Sequence, residues 1–170
     1  MKRLTLVRHA HAKFKGAEVK DFERPLSRRG KAEAKQTALG LSAHALIPGL
    51  LLVSAARRTV QTAEIFAHEL QIPERHLRLD ESLYLASAGL LLQVIQGIGT
   101  RIQHLMIIGH NPGVSELANH LAPEAKLGEF ATSAAATMDF EVRAWRDINA
   151  RSAKNVQREG ATRRLFGLLK

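Results

Sequence analysis

The stretch LTLVRHAHAK, residues 4–13, runs from an apolar segment directly into an arginine and two histidines. Residues 4–7 have the composition of a buried strand, because β-branched and apolar side chains alternate without a break. A strand that ends in Arg8, His9 and His11 has three interpretations: a pair of metal ligands, a basic surface patch, or a nucleophile in an anion-binding site. The rest of the chain must decide between them.

Apolar patterns along the chain alternate between the strand period and the helix period. Short apolar runs predict strands, and apolar residues three or four positions apart predict helices. The predicted strands are 2–7, 49–53, 77–79, 105–108 and 131–140, and the predicted helices follow Ser27, span 60–70 and 90–98, and follow an Asn111 cap with Pro112 at the first helical position. This alternation predicts an α/β fold: a single-domain layered sandwich whose mostly parallel central sheet is flanked by helices.

Length and composition limit the class of protein. A chain of 170 residues is long enough for one domain with a sizeable core. It contains no cysteine, which excludes disulfides and thiolate metal sites. No apolar run approaches the roughly 20 residues that a membrane span needs, and the apolar N-terminal run is too short for a signal peptide. We therefore expect a cytoplasmic protein, without membrane association, that acts as a monomer.

The net charge of +9 is concentrated near the C-terminus, where residues 141–170 carry eight Lys or Arg against three Asp or Glu. Aromatic residues make up only 5% of the chain, too few for the stacking platforms of single-strand nucleic-acid binders. We therefore expect no nucleic-acid partner. The pattern predicts a domain at 1–150 and a basic C-terminal segment at 151–170. That segment either packs on the same domain as a terminal helix or helps to dock an acidic partner.

Charged and titratable residues follow three of the predicted strands. The first strand leads into Arg8, His9 and His11, the second into Ser54, Arg57 and Arg58, and the fourth into His110. Because ligands of open α/β sheets bind beyond the carboxyl ends of the strands, these side chains are expected to meet. Two arginines and two histidines without an obvious acid would bind a dianion such as a phosphoryl group. The helix that opens at Asn111 would add backbone amides and a positive dipole end.

The metal interpretation is the weaker one. His9 and His11 alternate along an extended chain and could face the same side, as a zinc pair would. A third ligand is not evident, no HExxH motif is present, and neighbouring arginines would repel a cation. The GxxxxGK[ST] loop of nucleotide-binding proteins is also absent. We therefore expect no metal and no cofactor, and we regard His11 as a surface or packing residue.

Three short sequence motifs of this chain resemble those of a known family. LVRHA at 6–10, VSAARRTVQT at 53–62 and IIGHNPG at 107–113 are similar to the three motifs of the histidine phosphatase superfamily. The likeness is greatest for the small phosphohistidine phosphatase branch typified by SixA. DFERPLSRRGKAEA at 21–34 and ATSAAATMDFEVRAW at 131–145 also resemble segments of that branch. The resemblance covers nearly the whole chain and implies a phosphoglycerate-mutase-like fold.

The resemblance implies a role for each motif residue. It makes His9 the nucleophile and Arg8 its phosphate-binding neighbour. In the second motif the arginine falls four places after the serine, which selects Arg58 rather than Arg57. His110 corresponds to the second core histidine. Asn111, together with Arg8, Arg58 and His110, would bind the substrate.

The sequence departs from the motifs of the superfamily at two positions, and the role of one acidic residue is open. Ala10 replaces the glycine of the commoner superfamily motif, as it does in the phosphohistidine branch, and Ala55 replaces a proline. Glu81, after the third strand, is the candidate acid for protonating a leaving group. The resemblance implies a metal-independent histidine phosphatase that acts on phosphohistidine in a protein, as part of signal transduction, through a phosphohistidine intermediate on His9. The alternatives are a phosphatase of a small phosphoester and a phosphate- or RNA-binding module without turnover.

Overall fold

The computed structural model describes residues 1–14, 16 and 19–160, and these residues form one sheet covered by helices on both faces. No helix within these residues is long and apolar enough to cross a membrane. The strands and α-helices, in chain order, are β1 (Lys2–Arg8), α1 (Arg28–Ala43), β2 (Leu50–Ser54), α2 (Arg57–Glu69), β3 (Leu77–Asp80), α3 (Ala88–Gln96), β4 (His104–Gly109), α4 (Gly113–Leu121), β5 (Ala135–Phe140) and β6 (Lys154–Glu159).

The sheet has the order β3-β2-β4-β1-β5-β6. β1, β2, β3 and β4 run parallel to one another, whereas β5 and β6 are antiparallel to their neighbours. The predicted α/β sandwich with a mostly parallel sheet is therefore confirmed. Because the four parallel strands point the same way, their carboxyl ends share one edge of the sheet, and β1 lies near its centre.

Both faces of the four central strands, β2, β4, β1 and β5, are buried, which explains their continuous apolar runs. In β4, Leu105 and Ile107 pack into the core beneath α3 and α4, while Met106 and Ile108 pack into the core beneath α1 and α2. Successive strand residues point to opposite faces, so each central strand contributes to both cores. All four side chains are fully buried.

The structure confirms one of the two predicted helix caps and not the other. Ser27 caps α1 as predicted, since its Oγ accepts a hydrogen bond of 3.0 Å from the Gly30 amide. Asn111 is not the cap of α4: Pro112 holds the cap position and the helix begins at Gly113. The Asn111 side chain instead accepts a hydrogen bond from Ser115 Oγ at 2.7 Å. A side-chain hydrogen bond to the first turn of α4 has therefore replaced the predicted backbone cap.

The C-terminal part of the described chain differs from the prediction. β5 begins at Ala135 rather than at residue 131, because residues 132–133 form a turn. Residues 154–159 form the edge strand β6 rather than a helix, because the exposed edge of β5 offers them backbone hydrogen bonds. Trp145 and Ile148 are fully buried against the main core, as their apolar character predicted. The rest of the predicted terminal helix, residues 161–170 with Leu165 and Phe166, lies outside the described residues.

Candidate active site

The predicted site residues meet at the carboxyl edge of the sheet. Arg8 is the last residue of β1, Arg58 lies in the first turn of α2, and His110 follows β4. His9 is anchored on both sides of its strand, since its amide donates to Gly109 O at 3.0 Å and its carbonyl accepts from the Ser133 amide at 3.1 Å. The site therefore rests on the most rigid part of the fold.

Two hydrogen bonds determine which nitrogen of His9 carries its proton. Nδ1 lies 2.8 Å from Ala10 O, which can only accept, so Nδ1 is the protonated nitrogen. Arg58 Nε, which can only donate, lies 3.2 Å from Nε2. Burial lowers the pKa of His9 to about 4, and Arg58, Arg8 and Arg24 act in the same direction. The imidazole is thus neutral at physiological pH, and its Nε2 lone pair faces the pocket.

Arg58 connects the elements of the site. Its guanidinium donates to His9 Nε2, to Asp21 O at 2.7 Å, to Asp21 Oδ2 at 3.1 Å and to His110 Nδ1 at 3.3 Å. The Arg58 residue is buried, with 3% of its surface exposed. Arg57, its neighbour in the sequence, is exposed. The structure therefore brings Arg58, and not Arg57, to the two histidines, in agreement with the motif spacing.

His110 is held in a single tautomer. Its Nδ1 accepts from Arg58, so its proton resides on Nε2, which donates to Ser54 Oγ at 2.8 Å. Burial lowers the pKa of His110 to about 3, and His9 and Arg58 contribute in the same direction. The His110 ring is therefore neutral near physiological pH, because burial and the neighbouring Arg58 disfavour the imidazolium.

Arg8 and Asn111 share an anchor on the loop before β5. Arg8 Nη1 donates to Phe130 O at 2.7 Å, and Asn111 Nδ2 donates to the same oxygen at 3.1 Å. Arg8 Nε is buried and finds no hydrogen-bond partner within the described part of the chain. A buried guanidinium N–H without a hydrogen-bond partner is costly.

The segment between β1 and α1 contributes residues that the sequence analysis missed. Asp21 Oδ2 accepts from Arg58 and, at 2.7 Å, from the Tyr84 hydroxyl, while Asp21 Oδ1 accepts from Arg24 at 3.0 Å. The expectation of a site without an acid is therefore wrong, since Asp21 lines the pocket. The Tyr84 hydrogen bond, followed by those of the two arginines, holds the pKa of Asp21 well below its usual range. The only signal in the sequence was the resemblance of residues 21–34 to the family.

The remaining residues of the second motif position the neighbouring loops. Thr62 Oγ1 accepts from the Ala10 amide at 3.1 Å, and Gln61 Oε1 accepts from the Leu26 amide at 2.7 Å. α1 also approaches the first loop so closely that a Cβ at Gly30 would lie 2.0 Å from His11 O. These contacts hold the loop that carries His9 against α1 and α2.

The side chains enclose an open pocket of about 480 Å³, which we call the catalytic pocket. Its lining residues are Arg8, His9, His11, Ala12, Asp21, Arg24, Arg58, Leu85, His110, Asn111 and Thr132. Three guanidiniums and one carboxylate leave an excess of two positive charges, which matches a phosphoryl dianion. His11 lies in this lining rather than apart from the site, and its Nδ1 is bonded to Ser27 Oγ. Glu81 does not line the pocket and is exposed.

Metal ligation finds no support in the geometry. Within residues 1–14, 16 and 19–160, no group of three or more His, Asp or Glu side chains is arranged to hold a metal ion. His9 and His11 use their Nδ1 atoms in separate hydrogen bonds, to Ala10 O and to Ser27 Oγ. The arrangement can instead offer a neutral imidazole nitrogen to an anion bound by guanidiniums.

Fold and site together define an α/β protein with a histidine-centred anion pocket. The sequence profile of the histidine phosphatase superfamily (branch 1) matches residues 4–96, and the chain belongs to this superfamily. An uncharacterized chloroplastic protein of Arabidopsis thaliana is 33% identical over 129 residues, which are 71% of this chain and 59% of the plant protein. The chain thus spans less than two thirds of that relative.

Solved structures identify the branch. SixA of Agrobacterium tumefaciens superimposes with a TM-score of 0.77 at 28% identity, covering 84% of this chain and 94% of SixA. A protein histidine phosphatase SixA in complex with tungstate has the same fold, with a TM-score of 0.76 at 24% identity over 91% of this chain and 95% of that one. A mycobacterial glucosyl-3-phosphoglycerate phosphatase shares the fold more distantly, with a TM-score of 0.62 at 16% identity over 88% of this chain and 96% of that one. The chain is a SixA-like member of the superfamily.

Proposed function

We propose that this protein is a phosphohistidine phosphatase that transfers the phosphoryl group to His9 and then to water. The observation that carries the proposal is the neutral His9 ring, whose Nε2 lone pair is presented to a pocket of guanidiniums. Such a nitrogen is a competent nucleophile without a metal ion. In the form we propose, the enzyme is cytoplasmic and monomeric, acts on a phosphorylated protein, and uses no cofactor.

In the first step, His9 Nε2 attacks the phosphorus atom. The new N–P bond forms as the P–N bond of the substrate phosphohistidine breaks, and the released imidazole nitrogen takes a proton from solvent. Arg58 Nε, which points at His9 Nε2 in the free protein, then donates to a phosphoryl oxygen. Arg8, which also lines the catalytic pocket, supplies a second guanidinium for the same group. Guanidiniums stabilise the charge that spreads over the equatorial oxygens during transfer.

In the second step, water attacks the phosphorus of phosphorylated His9. The N–P bond breaks, the His9 ring recovers its neutral state, and inorganic phosphate leaves. The Ala10 carbonyl holds the proton on Nδ1 throughout, so Nε2 remains the reacting nitrogen in both steps. Asn111, which lines the catalytic pocket beside Arg8, supports the phosphoryl group through its amide.

The leaving group discriminates between substrate classes. An alkoxide requires a general acid, whereas the imidazole of phosphohistidine, with an ordinary pKa near 6.5, is protonated readily by solvent. Asp21, the carboxylate in the pocket, is ionised because Tyr84, Arg24 and Arg58 lower its pKa. Glu81 lies outside the lining residues. The described residues therefore supply no protonated carboxyl group, and this favours phosphohistidine.

A phosphatase of a small phosphoester is the second candidate. It is favoured by the distant likeness to a mycobacterial glucosyl-3-phosphoglycerate phosphatase and by a pocket open enough for a metabolite. Phosphate binding without turnover is the third candidate, and it predicts no hydrolysis of any activated phosphate.

The test compares a phosphohistidine peptide with a simple alkyl phosphate. We expect kcat/KM for the peptide to be at least about 10²-fold higher, the lower end of what a positioned general acid contributes. Glu81→Gln should leave the peptide reaction unchanged. Equal rates for both substrates, with alkyl phosphate activity lost in Glu81→Gln, would replace this proposal by the small-phosphoester function.

A further inference from the structure

A second pocket lies beside the catalytic one. It has a volume of about 340 Å³, and we call it the basic pocket. Four of its lining side chains are cations: Lys13, Arg28, Lys31 and Arg57. Its other lining residues are Pro25, Leu26 and Gln61, so the lining includes no carboxylate. A concave surface with four positive charges and no negative one is built to attract anions.

The four cations are unpaired as far as the structure describes the chain. No carboxylate of residues 1–14, 16 and 19–160 lies within 4.0 Å of their charged nitrogens. Arg29, one position from Arg28, pairs with Glu33 at 2.6 Å. Among the described residues, a carboxylate thus pairs with the cation beside the basic pocket but none pairs with the cations that line it.

Two helices begin at this pocket, and both violate the usual charge preference. A helix N-terminus carries a positive partial charge, so its first turn favours Asp and Glu. Neither α1 nor α2 has an acid in its first turn. α1 instead begins with Arg28 and Arg29, and α2 with Arg57 and Arg58. Sequences depart from such local charge preferences most often at functional sites. Here an anionic ligand would offset the positive charge of the arginines and of the two helix N-termini.

A pair of hydrogen-bonded chain segments separates the basic pocket from the catalytic pocket. Ala12 pairs with Leu26 in an antiparallel bridge, and the Lys13 amide donates to Pro25 O at 2.8 Å. Ala12 lines the catalytic pocket, whereas Lys13 and Leu26 line the basic one. Two paired strands are about 10 Å wide, which three residues of extended chain can span. One peptide can therefore occupy both pockets.

We propose that the basic pocket binds a carboxylate-bearing segment of the phosphorylated protein, about three residues from the phosphohistidine held in the catalytic pocket. This inference rests on the proposed function for the identity of the bound protein. It adds a specificity site that selects acidic sequences. Nucleic acid is disfavoured because the pocket lining contains no aromatic side chain on which a base could stack.

The test uses two fluorescent peptides that differ only in charge. Each peptide contains one histidine. One peptide has Glu at three consecutive positions, the first of them three residues from the histidine, and the other has Gln at the same positions. The variant Arg28→Glu/Lys31→Glu reverses two charges of the pocket and places acids in the first turn of α1, where the helix dipole favours them. Arg75→Glu is the control for a charge reversal outside the pocket, because Arg75 is exposed in the turn before β3, at the opposite edge of the sheet.

We expect the wild-type protein and Arg75→Glu to bind the Glu peptide at least about tenfold more tightly than the Gln peptide, measured by fluorescence anisotropy at low salt. The double variant should lose this preference and gain affinity for a Lys peptide, while its kcat/KM for an aryl phosphate stays unchanged. With phosphorylated peptides, the same preference should appear in KM rather than in kcat.

Several outcomes would overturn the inference. Equal affinity for the Glu and Gln peptides, or an unchanged preference in the double variant, would show that the basic pocket does not read carboxylates. Pocket-dependent binding of a single-stranded oligonucleotide, with no preference for the Glu peptide, would replace the acidic segment by nucleic acid. Failure to hydrolyse either phosphorylated peptide, with the charge preference in binding intact, would refute the proposed function and leave the basic pocket as an acidic docking site.

Discussion

Replacing Arg58 is expected to be far more damaging than replacing Arg57, although the two residues are adjacent. The Arg58 guanidinium makes four hydrogen bonds within the site, while Arg57 is exposed. Loss of one donor that stabilises developing charge costs about 10²–10³ in kcat. With a small aryl phosphate as substrate, the kcat of Arg58→Ala should be lower than that of the wild type by a factor in this range. The kcat of Arg57→Ala should stay within about threefold of the wild type.

Two further measurements separate the charge of Arg58 from its geometry. Arg58→Lys keeps the charge, but one ammonium group cannot reach His9, Asp21 and His110 together, so most of the activity should still be lost. Because Arg58 helps to lower the pKa of His9, the acidic limb of kcat/KM, near pH 4 in the wild type, should move to higher pH in Arg58→Ala. Equal losses in Arg57→Ala and Arg58→Ala, or a limb that moves to lower pH, would refute this account of the site.

Four other expectations concern the nucleophile, its surroundings and the stability of the fold. Quenching a reaction in alkali should trap an acid-labile phosphoryl group on the wild-type protein but not on His9→Ala, and a label that persists in the variant would exclude His9 as the nucleophile. Tyr84→Phe removes the hydroxyl that donates to Asp21. The variant should lower kcat/KM about tenfold, since a hydrogen bond to a charged group contributes roughly 1.5–3 kcal/mol. Unchanged kinetics would show that this hydrogen bond does not contribute to catalysis. The folded state keeps His9, His104 and His110 neutral, with pKa values of about 4, 4 and 3, while the unfolded chain takes up protons near pH 6.5. Stability should therefore fall by about 6 kcal/mol at most between pH 7 and pH 5, and a flat profile in urea denaturation would contradict the burial of three neutral imidazoles. Activity should survive exhaustive chelation, whereas a loss that Zn²⁺ restores would favour the metal interpretation.

The sequence determined those features that depend on short-range periodicity. Alternating strand and helix patterns predicted the layered α/β fold, because each period corresponds to one way of burying apolar side chains. Parallel strands have their carboxyl ends at one edge, so residues that follow β1, β2 and β4 were expected to meet there, and Arg8, Arg58 and His110 do line one pocket. The resemblance to the family motif also selected Arg58 rather than Arg57, and the burial of the two side chains supports this choice. The catalytic roles of these residues remain predictions.

Only the tertiary structure decided the features that join residues far apart in the chain. Asp21 reaches Arg58 across 37 positions and Tyr84 across 63, through loops whose paths leave no periodic signal in the sequence. The same holds for Asn111, whose side-chain amide reaches Phe130 O across 19 positions, and for β6, which depends on the free edge of β5. The neutral state of His110 also follows from burial, a property of the assembled fold. Local patterns encode which face of an element is apolar, whereas the packing of the whole chain determines which polar groups come into contact and what charge they carry.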